Sequence, residues 1–99
     1  MEIWYSPSAF KHRIDADQIQ YLVDHWPPPF AVASAQEPGM DVHLYIGEDA
    51  SGRRLEVIGR PYRDEAGSGE WGLHVFHADK MRSSYQSFYE EQVRWRSVE

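Results

Sequence analysis

The sequence contains no cysteine, which excludes a disulfide framework, thiolate-held zinc and cysteine nucleophiles. Packing alone must hold the fold. No uninterrupted run reaches the roughly eighteen apolar residues of a membrane-spanning helix, and Met1-Glu2-Ile3-Trp4 does not open an apolar leader. A cytoplasmic location, with no membrane association, is expected. Repeats and low-complexity segments are missing too. Gly67-Ser68-Gly69 precedes a strand pattern and no helix start, so it does not build a phosphate loop. Basic residues are scarce in the first half, where Lys11 and Arg13 stand against eight acids. From residue 53 onward eight bases balance eight acids, so the whole net charge of −6 originates before that point. Nucleic-acid binding depends on cations meeting phosphates; the average charge opposes it, whereas the uneven distribution leaves room for a neutral-to-basic working face and an acidic back.

Aromatic residues, by contrast, are plentiful at 14%, with 41% hydrophobic residues, a balance that disordered chains do not show. Ninety-nine residues make one domain, 1–99, because so short a chain has no room for a second core.

Local signals divide the chain. Ser6-Pro7 predicts a helix start, with the serine hydroxyl capping and proline at the first helical position, and a short helix to about Arg13. Asp15 with Gln18 has the form of a capping box, followed by an apolar stripe of Ile19, Leu22, Val23 and Trp26. This predicts a second helix from about Ala16 to His25, stopped by Pro27, Pro28 and Pro29. Period-two alternation follows at Phe30 and Val32, then at Val42, Leu44 and Ile46, with a turn at Pro38-Gly39 between them. A turn at Glu48–Gly52 leads to alternation at Leu55, Val57 and Gly59, and a loop from Asp64 to Glu70 to a last strand. If that strand is regular, Leu73, Val75 and His77 share one face and His74 and Phe76 the other. Met81, Tyr85, Phe88, Gln92 and Trp95 form a final amphipathic stripe, with Asp79 as its cap and Phe88 and Trp95 read as core. The expected fold is α+β: two N-terminal helices, a roughly four-stranded antiparallel meander, and a C-terminal helix, with the helices on one face.

The last strand and helix bring the chemistry together. His77 at a strand end, with Arg82 and Tyr85 three apart on the following helix, offers a proton carrier, a two-point phosphate holder and a stacking ring. Cleavage of RNA through its 2′-hydroxyl needs such groups. From spacing alone the plainer reading comes first: a satisfied, half-buried His77, a core Tyr85 and a solvated Arg82. Lys11-His12-Arg13 either meets phosphate or offsets a helix end. Arg53, Arg54, Arg60 and Arg63, on or beside one strand, either contact phosphate or are ordinary edge charges. His74 and His77 do not pair as metal ligands, because positions three apart on a strand face opposite ways; no metal or other cofactor is expected. His43 is expected to face away from Val42 and Leu44, and His25 to end a helix.

Tyr5-Ser6-Pro7 with Lys11-His12 and Ile14, Ile46-Gly47, Gly52-Arg53-Arg54-Leu55-Glu56-Val57, and His77-Ala78 with Met81-Arg82 and Tyr85 resemble the small BrnT-type toxins of type II toxin-antitoxin systems. Their fold is related to RelE-like ribonucleases. The short motifs cover nearly the whole chain. The resemblance implies a metal-independent endoribonuclease silenced by a small antitoxin. It also implies site residues: Lys11 and His12 as the lysine-histidine pair, Arg53 or Arg54 as the arginine after the central turn, and Arg82 and Tyr85 as the arginine and tyrosine of the last helix. His77 stands where better-known members often carry serine and a divergent branch carries His-Ala. Two departures are the acidic charge, where such toxins are commonly basic, and Arg13, where a glycine often follows the lysine-histidine pair.

The expected function is thus RNA cleavage that arrests growth, with His77, Arg82, Tyr85, Lys11 and His12 catalytic and Arg53, Arg54, Arg60 and Arg63 binding substrate. The expected partners are RNA and an antitoxin protein, in a homodimer or a toxin-antitoxin assembly. The alternative is a non-catalytic interaction protein of the same fold, offering Phe88, Tyr89 and Trp95 to a partner.

Overall fold

In the computed structural model, residues 2–27, 29–33, 41–63, 66–67 and 69–98 are described. The Pro38-Gly39 turn, Pro28, and Asp64, Glu65 and Ser68 of the last loop lie outside these residues. The architecture is mixed α+β, with five strands and two helices: β1 Glu2–Tyr5, α1 Ala16–His25, β2 Phe30–Ala33, β3 Asp41–Glu48, β4 Arg54–Arg63, β5 Trp71–Lys80 and α2 Gln86–Val98. Among the described residues, no helix is long and apolar enough to cross a membrane.

The meander β2-β3-β4-β5 is antiparallel, as its alternation predicts, while β1 adds a fifth strand parallel to β5. Four residues are too few to announce a strand locally; Glu2–Tyr5 become one because Gly72–Val75 offer them a ladder. The expected first helix shrinks to a 3-10 turn at Pro7–Phe10. Ser6 does not cap it with its side chain, because that hydroxyl is taken by the His74 ring. Further on, Arg13 adopts φ +65°, a conformation that ends any right-handed helix. In contrast α1 follows its sequence signals: Asp15 accepts from the Gln18 amide, the Gln18 side chain accepts from the Asp15 amide, and the helix stops at His25.

Register assigns the faces. One carries Ile3, Tyr5, Tyr45, Leu55, Val57, Leu73, Val75 and Ala78, packed against Ala9, Ile14, Ile19, Leu22 and Val23. The other carries Val42, Leu44 and Ile46, against which α2 lies through Phe88 on Phe30, with ring centroids 4.5 Å apart. Helical elements therefore cover both faces rather than one. The single apolar stripe of each helix cannot cover a sheet that is apolar on both sides. Trp26, after α1, closes over Gly47, where a Cβ would lie 2.4 Å from the indole ring; only glycine permits that approach. The β3–β4 turn is organised by buried Asp49. Its carboxylate accepts from the Gln18 side chain, the Ser51 hydroxyl and amide, and the Arg53 amide, while Gly52 supplies φ +85°.

Two boundaries differ at the site. β5 runs on to Lys80, paired with Leu55, so Asp79 is a strand residue and not a helix cap. After it comes a 3-10 turn at Ser83–Tyr85, preceded by Arg82 in extended backbone, and only then α2. Val57 pairs with Ala78 in the core, and this long-range ladder outweighs the local cap signal at Asp79. On α2, Phe88 packs inward as expected, but Trp95 is 60% exposed: the stripe extends beyond the part of the sheet that the helix covers.

Candidate functional site

A β-bulge aims the central histidine. Ile58 pairs with His77 and Gly59 with Val75, leaving Phe76 as an extra residue on β5. Val75 and Ala78 both keep their places in the core, so Phe76 and His77 both turn to the opposite face, with His74. The expectation that His77 shares the face of Leu73 and Val75 is thereby corrected. A bulge shifts the alternation by one residue and re-aims a side chain. His74 and His77 consequently share a face, yet they hold different partners, Ser6 Oγ at 2.6 Å and Glu56 at 2.8 Å. Among the described residues no group of three or more His, Asp or Glu is placed to hold a metal ion.

On that face Glu56 is 1% exposed, and a buried carboxylate must find donors. It accepts from His77 Nε2 at 2.8 Å, from the Arg82 amide at 2.8 Å, and from Arg82 Nε and a terminal guanidinium nitrogen at 3.0 and 2.6 Å. Burial alone would raise the Glu56 carboxyl; the hydrogen bonds from His77 and Arg82 and the nearby guanidinium charge outweigh it and hold it at about 2. The hydrogen bond that Arg82 donates to Glu56 in turn raises Arg82 above its ordinary value. An ionised carboxylate can only accept, so a neutral His77 carries its proton on Nε2 and leaves Nδ1 as the lone pair.

His12 comes from the segment after β1, which passes the part of β5 beyond Val75 that β1 does not pair. Its ring lies 5.5 Å from that of His77, edge on, and its Nδ1 is 3.6 Å from Asp79. It also lines a cleft of about 540 Å³ with Lys11, Arg13, Ile14, Arg53, Asp79 and Lys80. Four of these side chains are cationic and one is acidic, so the cleft suits an anion.

Of the residues singled out from the sequence, Lys11, His12 and Arg53 line this cleft, and His77 adjoins it through its ring contact with His12. Arg82 lies beside His77: from extended backbone its 51% exposed side chain folds back onto Glu56 and clamps the carboxylate. Half-buried Tyr85 supports the Arg82 guanidinium, 4.9 Å above its ring. Arg54 turns away to α2, over Tyr89 at 4.3 Å and bonded to Gln86. Arg60 and Arg63 lie towards the other end of β4, Arg63 about 30 Å along the strand from Arg54 at some 3.3 Å per residue. Arg60 lies 5.9 Å over Phe76, and Arg63 donates to the Gly69 carbonyl. The four arginines are thus no single patch, because a ten-residue strand separates its ends. His25 ends α1 stacked on Tyr21, and His43 faces away from Val42 and Leu44, both as expected.

Sequence reasoning does not assign Glu56, Asp79 or Lys80 to the site, and reads Asp79 as a helix cap. Glu56 left one signal, a lone carboxylate between Leu55 and Val57 in a strand apolar on both sides.

Compared with protein families, curated proteins and solved structures, the chain finds no match.

Proposed function

We propose that this protein is a metal-independent endoribonuclease of the toxin class that its sequence motifs resemble. The observation that carries the reading is the pair of imidazoles, one held by a buried carboxylate, beside a cleft bearing four cations. In the proposed reaction His77 Nδ1 takes the proton of a ribose 2′-hydroxyl, whose oxygen then bonds to phosphorus. The bond from phosphorus to the 5′-oxygen breaks, and protonated His12 supplies that oxygen with its proton. The products are a 2′,3′-cyclic phosphate and a 5′-hydroxyl. Glu56 fixes the His77 tautomer and favours the imidazolium that forms, as the carboxylate of a hydrolytic triad does. Lys11, Arg13, Arg53 and Lys80 hold the backbone phosphates and offset the charge growing at phosphorus. Arg82 and Tyr85 act as positioning residues through Glu56.

One departure from the family pattern fits this reading. Arg13, where relatives often carry glycine, has the positive φ that glycine adopts freely. The toxin reading also calls for a small antitoxin partner that covers the cleft.

The test is incubation of the purified protein with single-stranded RNA and analysis of the product ends. Cleavage leaving cyclic phosphate ends is expected, falling about 100-fold or more in His77→Gln. Intact RNA, or equal rates in the variant, would refute it. A second reading, a non-catalytic protein of this fold, draws on the exposed indole of Trp95. It predicts a copurifying partner, no cleavage, and no growth effect when the protein is expressed alone.

A further inference from the structure

The part of the sheet that α2 leaves open carries a row of rings leading to the site. Trp4 pairs with His74 across β1 and β5, and His74 with Arg60 across β5 and β4, so the three side chains stand side by side on one face. It is the face of Phe76, His77 and Glu56, because the bulge keeps His74, Phe76 and His77 together. Trp4 is 58% exposed and His74 is exposed as well. The His74 ring is held by Ser6 Oγ at 2.6 Å, and Phe76 lies half-buried between it and His77, under the Arg60 guanidinium. Trp4, His74 and Arg60, with Tyr62, line a groove of about 370 Å³. Three strand steps separate His74 from His77, at most about 10 Å, a distance that one or two nucleotides span.

We infer that Trp4, His74 and Phe76 form a base-stacking platform for single-stranded RNA, seating nucleotides next to the one cleaved at His77. This rests on the ribonuclease reading above and adds the subsite. Aromatic rings on an open sheet face, with a cation among them, are how sheet modules hold single strands: every base has a flat face to stack, whatever its sequence. The acidic chain gains from such a contact, since stacking needs no net positive charge. A preorganised imidazole and an exposed indole in one cross-strand row, continuous with the histidine pair, single out nucleobases as the occupant. Trp71 supplies an internal contrast. It is equally exposed, at 62%, but stands on the opposite face with Leu73, away from His77.

The experiment measures binding of a short fluorescein-labelled 2′-O-methyl oligoribonucleotide, which cannot be cleaved, and steady-state cleavage of the matching RNA. Trp4→Ala is expected to weaken binding about 5- to 100-fold and to raise KM with kcat unchanged, while Trp4→Phe retains most of the affinity. Trp71→Ala should stay within about twofold of the wild type, having no stacked base to lose. If the wild type binds and cleaves but Trp4→Ala does the same, the platform is wrong and the ribonuclease reading stands. If Trp71→Ala loses as much as Trp4→Ala, the effect is general and the platform is overturned. If the wild type neither binds nor cleaves, both readings fall together.

Discussion

Replacing Glu56 by glutamine removes one charge from the centre of the site and almost no volume. The carboxyl lies at about 2 in the folded protein against an ordinary 4.5. At about 1.4 kcal/mol per pH unit, that difference corresponds to about 3 kcal/mol of stability at neutral pH. The sign follows from the depressed value: the contribution is complete above the unfolded value near 4.5 and fades as the pH falls towards 2. By pH 3 about 2 kcal/mol of it is gone. Stranding one partner of a buried pair commonly costs about 3–5 kcal/mol, but Arg82 is half exposed and can turn to water. Glu56→Gln should therefore lose about 2–3 kcal/mol at pH 7, read as a lower urea midpoint. In a thermal scan the same loss lowers Tm by roughly 10–20 °C for a domain of this size. Urea titrations of wild type and variant at pH 7, 5 and 3 provide the check, because the gap should narrow to about 1 kcal/mol at pH 3. A gap below about 1 kcal/mol at pH 7, or one that does not change with pH, would refute the assignment of a buried, ionised and hydrogen-bonded carboxylate. Coupling between Glu56→Gln and Arg82→Gln in a double-mutant cycle isolates the clamp itself.

Three other outcomes are expected. Gly47→Ala puts a methyl 2.4 Å from Trp26 ring atoms and should destabilise the fold by about 1–3 kcal/mol, measured by thermal unfolding. Arg13→Gly relieves a positive φ that costs an L-residue about 1 kcal/mol. It should match or slightly exceed the wild type in urea stability while weakening RNA binding through lost charge, whereas Arg13→Val should lose stability. Oligonucleotide affinity should fall with salt at a log-log slope of about −2 to −3 if the four cleft cations meet phosphates, and each of Lys11→Ala, Arg53→Ala and Lys80→Ala should flatten it by about 0.7.

What is legible in the sequence is what neighbours a few residues apart decide. The Asp15-Gln18 capping box, the stripe from Ile19 to Trp26 and the stop at Pro27 define α1 without reference to the rest of the chain. Alternation at Phe30, Val42–Ile46 and Leu55–Val57 announces the antiparallel meander. It also flagged Lys11, His12, Arg53 and His77, which the fold brings together. Long-range pairing and packing make four residues at the start a fifth strand, carry β5 through Asp79, and divide the helical elements between the two faces. The site shows the same division. His77 faces Glu56 because Val75 and Ala78 both claim core positions against β4, forcing Phe76 out as a bulge. Glu56 becomes an ionised anchor because burial takes it from water and His77 and Arg82 supply its donors. Periodicity reports contacts within a turn or a pleat, whereas strand register, burial of a charge and the cleft that Lys11 and Lys80 share depend on partners tens of residues away.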